Sequence, residues 1–119
     1  MKFQEKMQGN VTVLMLSGTM IRGDESAVFK DHVQRLIHDE IVHIVMDMGQ
    51  VDWMNSTSLG ALVSVLNTIR EVDGDIRLAR MGPRMNQVFS AMHLSDAFQV
   101  YETVHQAVDS FGSAHATTS

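Results

Sequence analysis

Residues 11–17, "VTVLMLS", are apolar or small at both odd and even positions, which predicts a strand buried on both faces. A weaker strand over residues 3–7 precedes it, and Gln8, Gly9 and Asn10 supply the turn of a hairpin. Gly18 and Gly23 bracket a loop, after which Asp24 or Ser26 is placed to cap a helix. Val28, Phe29, Val33, Leu36 and Ile37 would share its apolar face. "IVHIVMDM", residues 41–48, is short, rich in β-branched residues and almost continuously apolar, as an interior parallel strand should be. The stripe Leu59, Leu62, Val63, Leu66 and Ile69 predicts a second helix that Asp73 and Gly74 end. "DIRLA", residues 75–79, alternates, with Ile76 and Leu78 facing one layer. Gly82 and Pro83 lead into a short helix carrying Met85, Val88, Phe89 and Met92, "FQVY" forms a last strand, and Val104, Ala107, Val108 and Phe111 line a final helix. Strands alternating with helices after a hairpin predict an α/β fold built on a mixed sheet with crossovers. The expected organisation is a single domain over residues 1–111 and a flexible tail over 112–119, "GSAHATTS".

Composition narrows the function. Nine basic against fourteen acidic side chains give a formal charge of −5, which discourages direct contact with nucleic acid. There is no cysteine, so disulfides and thiol chemistry are excluded. The start, "MKFQEKMQGN", does not read as a leader, and no apolar run approaches the roughly 20 residues that span a bilayer. A cytoplasmic protein without membrane insertion is expected. Most of the ten methionines fall at core positions, where they fill irregular gaps, while Met81, Met85 and Met92 are placed to edge an exposed patch.

Candidate chemistry is sparse. Histidines at 32, 38, 43, 93, 105 and 115 have neither paired helical spacing nor a nearby acidic cluster, so no metal site or cofactor is predicted, and His43 reads as a packed or edge histidine. Residues 18–23 lack the spacing of a phosphate-binding glycine loop, and "NSTSLG" lacks the glycine spacing of a hydrolase elbow. Asp47 ends a central strand as a phosphoacceptor aspartate would, but the first core strand ends in Ser17 and Gly18 without an acidic pair, and "DIRLA" ends without lysine. The chain does not read as an enzyme. One cluster is left: Asn55, Ser56, Thr57 and Ser58, four small polar residues ahead of an apolar helix. One of them suffices to cap the helix, for about 1 kcal/mol. A phosphoryl group on a hydroxyl there would sit at the positive end of the helix and add about two negative charges without unfolding it.

The chain resembles the domain shared by sulphate transporters and anti-sigma-factor antagonists (STAS), above all the small stand-alone bacterial antagonists. Their hallmark is an apolar strand, an aromatic and a methionine, then aspartate, two hydroxyl residues, glycine, leucine and glycine opening a helix. Trp53 and Met54 match the aromatic and the methionine, Ser56 and Thr57 the hydroxyl pair, and Leu59 and Gly60 the end. Asn55 stands where aspartate is expected, and Ser58 where the first glycine is expected, a place of close approach. Gly18, "IVHIVMDM" and the helix followed by "LSDAFQVY" fall in the family's order, so the resemblance covers about residues 8–110. It implies a STAS-like mixed sheet of about five strands and four helices, packed mostly on one face. It also implies Ser56 as a phosphoacceptor, with Thr57 the less favoured neighbour and Asn55, Ser58 and Gly60 completing the switch loop. The implied partner is an anti-sigma factor that is also a serine kinase, bound through Thr19, Met20, Ile21, Arg22, Gly23 and Asp24. Asn55 and Ser58, with the missing acidic residue after Gly18, keep other family roles open: a scaffold among other STAS proteins in a signalling complex, or an accessory subunit on an ABC transporter's ATPase.

Overall fold

A computed structural model of the chain describes the backbone of residues 2–17, 23–51, 54 and 56–118, and their side chains except at 2, 3, 23–26 and 112–118. Strands β1 (Lys2–Gln8) and β2 (Val11–Ser17) form the hairpin, with Gly9 at φ 62° in its turn. Helix α1 (Gly23–His38) leads to β3 (His43–Gln50), α2 (Ser56–Arg70) to β4 (Asp75–Ala79), and α3 (Pro83–Ala91) with a short 3-10 turn to β5 (Gln99–Tyr101). Helix α4 (Val104–Thr118) ends the chain. The five strands lie in one sheet in sequence order; β1 runs antiparallel to β2, and the other pairings are parallel.

Alternation along the strands divides the apolar side chains into two layers. Leu14, Leu16, Ile44, Met46, Met48, Ile76 and Leu78 point to one face, which we call the front. There they meet Phe29, Val33 and Leu36 of α1, Leu59, Leu62, Leu66 and Ile69 of α2, and Met85 and Phe89 of α3. Val11, Val13, Val45 and Ala79 point to the back, where Val104, Ala107, Val108 and Phe111 of α4 pack on them. Three helices in front and one behind make the packing mostly one-sided. The middle strands lose both faces to protein, which explains their nearly unbroken apolar runs.

Several positions differ from the sequence reading. Val28 is 58% exposed, because the buried stripe of α1 is the narrow row Phe29, Val33 and Leu36 and Val28 lies about 100° round the helix from Phe29. Met85 is fully buried against Phe89 and the sheet, so it edges no surface patch, whereas Met92 is 47% exposed. Strand β3 begins at His43 rather than at residue 41 because Ile41 is used to close α1. Its N–H donates to the Leu36 carbonyl (2.8 Å) while Glu40 N–H donates to Ile37 (2.9 Å), and Glu40 takes φ 64°. This is the paired-bond helix end in which the residue past the helix turns left-handed.

Helix α2 ends in the same way, with Gly74 N–H on the Ile69 carbonyl (2.9 Å) and Asp73 N–H on Arg70 (3.2 Å). The left-handed residue is Asp73 at φ 63°, not the neighbouring glycine. Gly74 is required for a different reason: a Cβ there would strike the Val42 carbonyl oxygen and lie 2.6 Å from Val42 Cβ. Gly74→Ala is therefore expected to destabilise the fold by about 1–3 kcal/mol through overpacking. Asp73→Gly is expected to stabilise it by up to about 1 kcal/mol by relieving the left-handed conformation. Urea denaturation of both variants checks the two signs; an unchanged or raised stability of Gly74→Ala would refute the close contact with Val42, and a destabilised Asp73→Gly would refute the strain at Asp73.

Candidate functional site

Ser17 and Gln50 are register partners at the ends of the neighbouring parallel strands β2 and β3. The two connections, one into α1 at Gly23 and one into α2 at Ser56, therefore leave the sheet side by side. This end, beyond the carboxyl termini of the strands, is where open α/β sheets place their sites. The second connection is pinned by apolar anchors: Val51 is 5% and Met54 2% exposed, and Val51 N–H donates to the Met48 carbonyl (3.1 Å). Because both anchors belong to the front core, the start of α2 is held against the sheet.

The hydroxyl cluster separates on this frame. Ser56 is the first residue of α2 and Thr57 the second, and both are exposed. Ser58 is 1% exposed, inside the first turn rather than ahead of it, so it is not the cap of α2. Gly60 is exposed one turn on from Ser56, and an added Cβ would meet nothing within 4 Å. The first turn of α2 itself holds no acidic residue. Asn55, Trp53, Thr19, Met20, Ile21 and Arg22 lie outside the described residues. Gly23 and Asp24 open α1, at the same end of the sheet as Ser56, with side chains outside the described set.

Sequence reasoning missed a charged clasp on the back face at this end. Asp47 is 5% exposed; Gly49 N–H donates to its Oδ1 (3.0 Å) and Arg80 Nη1 to its Oδ2 (3.0 Å). Arg80 follows β4 at φ 61°, and its guanidinium lies where a Cβ on Gly49 would be, 2.6 Å from the guanidinium carbon. Glycine at 49 thus lets the arginine cross the β3 backbone. The register also slips here: Met15 pairs with Asp47 but Ser17 with Gln50, so three steps of β3 span two of β2. The carboxylate satisfies an amide at the irregularity. Behind the other end of the sheet, the His43 ring stacks on Phe111 at 4.8 Å, and the Arg77 guanidinium lies 3.9 Å over that same ring, which fastens α4 to the sheet.

Among the described residues no three histidines, aspartates or glutamates gather to hold a metal ion, and no helix is long and apolar enough to cross a membrane. Residues 2–107 match the STAS domain family. BtrV of Bordetella bronchiseptica, named as a candidate anti-sigma factor antagonist, is 27% identical over 71 residues, 60% of this chain and 61% of BtrV, so the match spans less than two thirds of that relative. A Thermotoga neapolitana homologue of TM1081, named in the same way, is 24% identical over 112 residues, 90% of this chain and 95% of that one. The structure of the anti-sigma factor antagonist SpoIIAA in its unphosphorylated form superposes with a TM-score of 0.82 at 18% identity, covering 94% of this chain and 97% of that one. Bacillus SpoIIAA in its phosphorylated form gives 0.73 at 20% identity, covering 92% and 99%. The chain belongs to the STAS domain family, whose members are non-catalytic binding domains.

The clasp can be tested directly. Arg80→Met is expected to cost about 1–3 kcal/mol, because it leaves the Asp47 carboxylate buried without its cation. Asp47→Asn in the Arg80→Met background should recover part of that loss. Chemical denaturation of the single and double variants gives the coupling; additive losses would show that the pair contributes nothing to stability.

Proposed function

We propose that the protein is an anti-sigma-factor antagonist that binds an anti-sigma factor with serine kinase activity and is released by phosphorylation of Ser56. The observation that carries this reading is the separation of the hydroxyls: Ser56 and Thr57 are open to an approaching enzyme at the positive end of α2, and Ser58 is not. Membership of the STAS family and the match of Ser56 to the first hydroxyl of its motif add support. So do the names of relatives: BtrV and the TM1081 homologue are named as antagonists, and SpoIIAA has been solved with and without phosphate. The unphosphorylated chain presents the ends of α1 and α2 to the partner, with Thr19, Met20, Ile21, Arg22, Gly23 and Asp24 forming one side of the contact. Phosphate on Ser56 places about two negative charges in that contact. It leaves the fold intact, because the free N–H groups at the start of a helix donate to an anion. Asn55, where the family motif has aspartate, lowers the negative charge beside the acceptor and so tunes phosphoryl transfer.

Mass mapping after incubation with the cognate kinase is expected to find phosphate on Ser56, and phosphate on Thr57 alone would refute the assignment. Capture from the native cells with Ser56→Ala as bait should recover an ATP-binding anti-sigma factor. Recovery of a transporter ATPase or of other STAS proteins instead would select the accessory-subunit or scaffold role.

Ser56→Asp is expected to weaken binding of the kinase at least about tenfold, since a desolvated carboxylate without a partner costs more than about 1.4 kcal/mol. Its stability should change by less than about 1 kcal/mol, because the helix end favours an anion. Calorimetric affinity and thermal melts on one preparation separate these effects; equal affinity of the two proteins would rule out a charge switch at Ser56.

A further inference from the structure

The methionines divide sharply by exposure. Met46, Met48, Met54 and Met85 are at most 2% exposed and belong to the front core. Met7 and Met92 are 52% and 47% exposed. Oxidation of a thioether by peroxide follows its access to solvent, and the product is a polar, chiral sulfoxide that dedicated reductases can reverse. At Met7 the sulfur is also a hydrogen-bond acceptor: Thr12 Oγ1 donates to Met7 Sδ at 2.8 Å.

This bond ties an exposed atom to a buried one. Thr12 is 0% exposed, so its hydroxyl is out of reach of bulk water. Register places it on the front face in a row across the strands, between Met7 of β1 and Ile44 of β3. Ile44, and Leu14 two residues along β2, are fully buried and carry no acceptor in their side chains. The Met7 thioether is thus the acceptor that the structure gives this hydroxyl. A thioether is a weak acceptor, but a buried hydroxyl that loses its partner costs the fold its desolvation.

We propose that Met7 is a site of reversible oxidation, and that Thr12 couples its redox state to the stability of the β1–β2 hairpin. The sulfur lone pair that faces Thr12 is shielded, so a peroxide meets the other one, on the open side of the edge strand. That lone pair forms the S–O bond as the peroxide O–O bond breaks. The sulfur is oxidised by two electrons, and hydrogen peroxide is reduced to water. The new oxygen points to solvent, and the sulfur left facing Thr12 carries partial positive charge, which makes it a poorer acceptor. The buried hydroxyl then loses most of its bond, and the outer strand loosens beside its turn at Gly9. This site is independent of the role of Ser56.

The test treats the full chain with hydrogen peroxide. Peptide mass mapping is expected to find oxygen on Met7 and Met92 well before Met46, Met48, Met54 or Met85. Met92→Leu removes the second exposed thioether, and the species with one oxygen, at Met7, is separated and unfolded in urea. Its ratio of folded to unfolded protein is expected to be about tenfold or more below that of the untreated Met92→Leu chain. When Thr12→Val, which keeps the shape without the hydroxyl, is added, the same oxygen should change that ratio by less than about twofold. A further readout needs no substitution: epimer-specific methionine sulfoxide reductases should find mostly one epimer at Met7 and a near-equal mixture at Met92. A Met7 that resists peroxide, a loss of stability that is absent or is as large with Thr12→Val, or equal epimers at Met7 would overturn the proposal.

Discussion

Between Ile44 and Met48, strand β3 has no side chain left to solvent: even positions face three helices and odd positions face α4 or the Asp47–Arg80 clasp. A strand buried on both faces fixes register strictly, since a one-residue slip would exchange the two layers. Its neighbours inherit that constraint. Small side chains behind β2, β3 and β4, namely Val13, Val45 and Ala79, let α4 approach closely, while the larger Leu14, Met46 and Leu78 fill the deeper front layer. Aligned register in turn aligns the carboxyl ends of the strands, and so the starts of α1 and α2.

The two ends of this arrangement are held differently. At the carboxyl end, apolar anchors at Val51 and Met54 and the polar clasp of Asp47 by Arg80 fix the exit of β3 from opposite faces. Ser56, the candidate switch residue, thus opens a helix whose start is held by buried anchors, and under the proposed function a change of charge there would act on a docked partner rather than on the core. At the other end, paired-bond helix terminations deliver the chain into β3 and β4 with little loop, and Gly74 lies against Val42 where the two strands begin.

Much of this was legible in the sequence where the physics is local. Two-sided burial writes itself as continuous apolar runs, which is why residues 11–17 and the body of β3 read correctly as interior strands. The position of Ser56 followed from the motif, and the exposure of Ser56 and Thr57 against the burial of Ser58 did not, because all three are small hydroxyl residues in one turn. Val28 fell on the wrong side because a helical stripe one residue too wide fits the periodicity equally well. The Asp47–Arg80 pair spans 33 residues of sequence and is created only by the β3–β4 register and the open space at Gly49, so no spacing rule reveals it. Asp73 and Gly74 were read as the end of α2, but not that Asp73 is its left-handed residue while the glycine serves a close contact, and the left-handed end at Glu40 has no glycine beside it to mark it.

The order of the strands in the sheet is the order of the strands in the chain, and this has a kinetic consequence. Every strand pairs with the one made just before it, so no pairing must wait for a distant segment, and each closure spans one short crossover. A chain emerging from the ribosome can extend the sheet at its growing edge, hairpin first, with each helix sealing the front layer as it appears. The back layer is completed only when α4 is synthesised. Until then Val11, Val13, Val45 and Ala79 remain open to water, and this is the interval in which the nascent protein is most exposed to aggregation.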